Sequence, residues 1–92
     1  MQAQEHESIA SDLETFLRDR FQIAPDDPFF TRTVHLWDEG YVDSAGVVQT
    51  VAYLEERYQV TLPPEALQDP AFTHVDGIAR TIANLLEGGA RC

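Results

Sequence analysis

"GYVDSAGVVQTVAYLEERY", residues 40–58, decides how this chain folds. A serine follows an aspartate where loop residues give way to apolar residues at helical steps: Val47, Val48, Val51, Leu54 and Tyr58. The pattern predicts a helix over about 44–59. Asp43 accepts hydrogen bonds from the first free amides, and Ser44 is the first helical residue. Three valines are weak helix formers, so packing rather than propensity must hold this helix.

Toward the N-terminus, "APDDPFF" (residues 24–30) carries two prolines and paired aspartates that stop a helix. Before it, Ile9, Leu13, Phe16, Leu17 and Phe21 fall at steps of three and four, which predicts a helix over about 5–20. Residues 21–43 show no period and are expected to form a long ordered loop, pinned to the core by Phe29, Phe30, Leu36, Trp37, Tyr41 and Val42. Toward the C-terminus, Pro63 and Pro64 suit the first turn of a short helix over about 64–72, with Asp69 and Pro70 as a further possible start. Thr73 is expected to cap a last helix over about 74–87, whose apolar side is Val75, Ile78, Ala79, Ile82, Leu85 and Leu86. The fold class is all-α: a small four-helix bundle, one domain over 1–92.

Sixteen acidic residues stand against six basic ones, a formal net charge of -10, and every basic residue is arginine. Nucleic-acid backbones and anionic membranes are repelled by such a chain, whereas a basic protein partner is drawn in. The absence of lysine removes Schiff-base chemistry. Cys92 is the only cysteine, so neither an internal disulfide nor a cysteine metal site is expected. The "MQAQEHESIASDLE" start has no signal-peptide character and no apolar run is long enough to span a bilayer, so a cytoplasmic protein is expected.

Asp-Ser followed two residues on by glycine invites a comparison with hydrolases. A nucleophile elbow also needs glycine two residues before the serine, and that position is Val42. His6, His35 and His74 are too scattered to assign a triad or a metal site, and "DEGYVD" lacks the alternating ligands of a calcium loop. No catalytic residue and no metal site is expected. Read by itself, the Asp-Ser dipeptide is a helix cap. The chain would then be a small acidic helical interaction domain without a prosthetic group.

The longer stretch "GYVDSAGVVQTVAYLEERYQVTLPPEAL" (40–67), followed by "DPAFTHVDGIARTIANLL" (69–86), resembles the acyl carrier and peptidyl carrier proteins. Their signature is a glycine, then Asp-Ser, then a helix with acidic residues and a proline-containing loop. Ala45 and Gly46 replace the bulky aliphatic and following residue of most carriers. "DSxGxVQ" is closer to stand-alone carriers of the D-alanyl carrier or extender-unit type.

The resemblance implies that Ser44 bears a 4'-phosphopantetheine arm, attached by a phosphopantetheinyl transferase from coenzyme A. It implies that Asp43 helps to bind the transferase's magnesium. Further implied partners are an adenylating or acyl-loading enzyme and a downstream synthase, transferase or tailoring enzyme, in polyketide or nonribosomal peptide metabolism. The carrier would be a monomer that holds an acyl or aminoacyl thioester and catalyses nothing itself. The expected partner surface is Tyr41, Val42, Ala45, Val47 and Val48, with Glu55 and Glu56 read by basic residues.

Overall fold

Apolar spacing becomes four α-helices in the computed structural model, which describes residues 2–89: α1 (Gln2–Arg20), α2 (Ser44–Tyr58), α3 (Pro64–Gln68) and α4 (Val75–Gly89). A single 3-10 turn, Pro70–Thr73, joins α3 to α4. No strand occurs among the described residues, and none of their helices is long and apolar enough to cross a membrane. Cys92 lies outside them.

The core is built from the faces that helical spacing marks out. From α1 come Ile9, Ala10, Leu13 and Leu17, and from α4 Val75, Ile78, Ala79, Ile82 and Ala83, all buried. These two helices form the main packed pair. Leucine, isoleucine and phenylalanine side chains each contribute about 1.5–3 kcal/mol when taken out of water, so the α1–α4 seam supplies much of the stability.

Helix α1 ends as Gln22 turns left-handed at φ 57° and Ile23 N donates to Arg18 O at 3.1 Å. These bonds occupy carbonyls that a helix end leaves free. The long loop that follows is ordered by direct bonds to the bundle. Ile23, Phe30, Leu36 and Val42 are buried. Leu36 N donates to Thr73 O at 2.8 Å, and Arg32 O accepts from Asp76 N at 2.8 Å, so the loop carbonyl caps an amide of α4. The Arg32 guanidinium reaches back to Glu7 (2.7 Å) and Glu14 (3.2 Å) on α1. This pairing holds the Glu7 carboxyl below its ordinary pKa.

Three expectations about the loop and the helix ends need correction. Phe29 does not pin the loop: it is 76% exposed, because Asp27 Oδ1 accepts from Phe29 N at 2.8 Å and the resulting turn sends Phe30 inward instead. On α2, Val48 lies off the buried side. That side is Gly46, Thr50 and Leu54, spaced by four, which leaves Val48 facing out and 69% exposed. The segment 64–72 is not one helix, since Asp69 accepts from Ala71 N (2.8 Å) and starts the separate 3-10 turn. Thr73 does not cap α4 either; its hydroxyl donates to Pro70 O at 2.7 Å and closes that turn.

Candidate functional site

Ser44 is the first residue of α2 and is exposed. What places it there is Asp43, which is extended at φ -94°, ψ -176° and whose Oδ1 accepts from Gly46 N at 2.8 Å. The Asp43 carbonyl accepts from Val47 N at 2.9 Å. The backbone amides of Ser44 and Ala45 have no acceptor among the described residues. They sit at the positive end of the helix dipole and can donate to an anion.

Gly46 explains how α2 comes so close to the rest of the chain. A Cβ at this position would stand 2.7 Å from Val42 Cγ1 and 2.8 and 2.9 Å from the Phe21 ring. The first turn of α2 therefore rests directly on the end of α1 and on the residue that precedes the cap. Thr50, buried one turn further on, donates its hydroxyl to Gly46 O at 2.8 Å. A polar residue is thus accommodated in the core without a lost hydrogen bond.

Two open clefts flank the start of α2. One is lined by Trp37, Val42, Asp43, Ser44 and Val47, so the serine hydroxyl lies at an apolar wall. The other is lined by residues that include Arg20, Phe21, Tyr41, Asp43, Ala45 and Gln49. Tyr41, in the wall of this second cleft, is held by its hydroxyl, which donates to Asp27 Oδ2 at 3.1 Å, and by its ring, packed at an angle to Phe30 with centroids 5.3 Å apart. Partial burial, then the Asp27 carboxylate, push its phenol above its ordinary pKa.

The residues expected at a partner surface divide into three groups. Ala45, Val48 and Glu56 are exposed, and Tyr41 and Val47 are half-buried. Val42, by contrast, is 2% exposed and belongs to the core, so it cannot present a contact surface. Its amide donates to Leu36 O at 3.2 Å, which turns the chain inward just before the cap. Glu55 is also committed elsewhere: its Oε2 accepts from Leu62 N at 2.7 Å and ties down the loop between α2 and α3.

No histidine hydrogen-bonds to Ser44 among the described residues. His6 contacts Asp76, His35 accepts from Asp38 N, and His74 meets Thr73. No group of three or more His, Cys, Asp or Glu side chains is arranged to hold a metal ion among the described residues. Arg20 was missed by the reading of the sequence. Its Nε donates to Gln49 Oε1 at 2.7 Å, joining the end of α1 to α2 beside the site. Nothing local marks it, because its partner is 29 residues away.

No family model matches the chain, and no curated protein matches it either.

The cap makes a testable contribution. Replacing an N-cap aspartate with alanine costs about 1 kcal/mol. Asp43→Ala is therefore expected to lower the melting temperature by roughly 4–8 °C in a domain of this size, whereas Asp43→Asn, which caps equally well, should melt within a degree or two of the wild type. Circular dichroism melts of the three proteins check this, and equal melting of wild type and Asp43→Ala would show that the cap is idle.

Proposed function

We propose that the chain is a carrier protein: Ser44 receives a 4'-phosphopantetheine arm, and the chain presents an acyl or aminoacyl thioester to successive enzymes of specialised metabolism. The observation that carries this reading is the placement of Ser44. Its hydroxyl is exposed at the start of a helix, on a rigid cap, next to two amides without acceptors and at the rim of an open cleft. A phosphodiester formed on that oxygen would lie within reach of donors that favour its charge.

Attachment needs little from the chain beyond access. Ser44 Oγ attacks the phosphorus of coenzyme A that bears pantetheine, loses its proton to a base of the transferase, and displaces adenosine 3',5'-bisphosphate. Once bound, the arm supplies a thiol on which cargo is held as a thioester. Ser44 anchors it, and the amides of Ser44 and Ala45 are the groups that would hold the phosphate. Asp43 is occupied with Gly46 N through Oδ1, and its other oxygen remains for a magnesium ion brought by the transferase. Cargo choice falls to the enzymes that load the arm.

Intact mass after incubation with a broad-specificity phosphopantetheinyl transferase, magnesium and coenzyme A tests the reading. A gain of one phosphopantetheine moiety is expected for the wild type and none for Ser44→Ala. An unchanged wild-type mass, with helicity intact, favours the second reading, an acidic helical interaction domain in which Asp43 only caps α2. The hydrogen bond from Gly46 N is the observation on which that second reading rests.

A further inference from the structure

Trp37 is the chain's one tryptophan, and it lines the cleft onto which Ser44 opens, together with Val42, Asp43 and Val47. The loop that carries it is fixed at both ends. Leu36 N donates to Thr73 O at 2.8 Å and Val42 N to Leu36 O at 3.2 Å, while Trp37 O accepts from Gly40 N at 3.2 Å in a turn where Gly40 stands at φ 82°. Trp37 itself is half-buried and packs against the core. Its position is therefore set before anything binds, which lowers the ordering cost of a contact.

The indole N–H of Trp37 has no acceptor among the described residues, and it is not sealed from solvent. A buried tryptophan ordinarily finds a partner for this donor. Here an apolar ring and an unused donor share one cleft wall with the serine. The opposite cleft is different, since Ser44 does not line it and the charged Arg20 does.

The chemistry of the arm matches the cleft on the Ser44 side. In 4'-phosphopantetheine a single methylene separates the phosphate from a carbon that bears two methyl groups, and a hydroxyl and an amide carbonyl follow. The segment nearest Ser44 is thus apolar and uncharged, with an acceptor just behind it. Asp43 is the only charged residue lining this cleft; it would repel a second anion there but not a neutral segment. An open space of about 510 Å³ suits a small apolar group held by few polar contacts.

Resting on the carrier reading, we propose that the cleft beside Ser44 is a resting site for the arm: its dimethyl segment packs on Trp37 and Val47, and the Trp37 indole N–H donates to the adjacent amide carbonyl. Trp37 is a positioning residue, because it holds the arm without touching the reacting thiol. The thiol end lies beyond this segment and stays available. A partner enzyme competes with the cleft for the arm.

Isotope-filtered NMR tests this. The isotope-labelled chain is loaded from unlabelled coenzyme A by the broad-specificity transferase, so every filtered NOE joins arm to protein. NOEs from the dimethyl protons to the Trp37 ring and to the Val47 methyls are expected, with the indole N–H cross-peak shifted downfield of its place in the unloaded chain. Trp37→Phe keeps an aromatic ring without the donor. It should load fully, while its ratio of docked to free arm falls roughly two- to tenfold, the span of one ordinary hydrogen bond, read as weaker NOEs to Val47. The wild-type NOEs decide the matter by themselves if that variant fails to fold. A loaded wild type with no NOE to Trp37, or with its indole cross-peak unmoved, would overturn the proposal, and so would wild-type NOE strength in a folded Trp37→Phe. Failure of the wild type to gain mass is a separate result, which overturns the carrier reading itself.

Discussion

Replacing Gly77 with alanine is expected to destabilise the protein by about 3 kcal/mol, although the same change in an ordinary helix interior stabilises by about 1 kcal/mol. The sign reverses because of what lies against the residue. A Cβ on Gly77 would overlap the Ala71 carbonyl oxygen outright, stand 2.7 Å from its carbon, and approach His74 Cε1 at 3.0 Å. Two of these three atoms are backbone, held in the 3-10 turn by Asp69 and by Thr73, so no side chain can swing aside.

Relief requires α4 to move away from the 3-10 turn. That movement would open the contacts around Phe72, Val75 and Ile78, all buried. At roughly 4–8 °C per kcal/mol for a domain of this size, the melting temperature should fall well over ten degrees. Gly77→Ser should behave no better. A melting temperature for Gly77→Ala at or above the wild type would show that the turn yields freely and that the close approach is not a constraint.

Loss of the Asp12 carboxylate is the second large effect expected. Asp12 Oδ2 accepts from Tyr53 at 2.8 Å and from Tyr58 at 2.7 Å, and Arg57 Nε stands 3.4 Å from the same oxygen. Both tyrosines belong to α2 and Asp12 to α1, so one oxygen joins the two helices. Phe16 stacks on Tyr53 beside it, with ring centroids 4.0 Å apart. Hydrogen bonds to a charged group contribute about 1.5–3 kcal/mol each when shielded from water. All three side chains here are half-buried, so Asp12→Ala is expected to cost about 2 kcal/mol in total, with a smaller loss for Asp12→Asn, whose amide oxygen still accepts. Denaturant midpoints at unchanged slope measure this. A loss of only a few tenths would mean that water serves the phenols as well as Asp12 does.

The same cluster sets the response to alkali. Burial first, then the Asp12 carboxylate, raise the phenol pKa of Tyr58 and, in the same direction, that of Tyr53. Below the ordinary tyrosine value of about 10 both folded and unfolded chains keep these protons. Above it the unfolded chain releases them while the folded chain holds them, so stability falls as pH rises. The double variant Tyr53→Phe with Tyr58→Phe should lose much of that decline, and Tyr41, raised for a similar reason, should account for part of the remainder.

Much of this architecture is legible along the chain. Ile9, Leu13 and Leu17 mark the inner side of α1, and Val75, Ile78 and Ile82 that of α4, because burial on one helical face repeats at 3.6 residues and needs no knowledge of the neighbour. Ser44 at a helix start follows equally directly from Asp43 and the apolar steps beyond it. On α2 the period misleads. Its valines suggest an apolar inner face, whereas the residues buried are Gly46, Thr50 and Leu54, and hydropathy marks neither the glycine nor the threonine.

Sequence alone therefore determined the helical class, the two main apolar faces and the position of the serine, since each depends on residues within a turn or two of one another. Tertiary structure decided which groups are free and which are committed. Gly46 has no room for a Cβ because Phe21 and Val42 arrive from outside its helix. Glu55 serves Leu62, Val42 enters the core, and Arg20 meets Gln49 in place of an acid. These outcomes turn on distances between separate segments, which become defined only when packing brings the segments together.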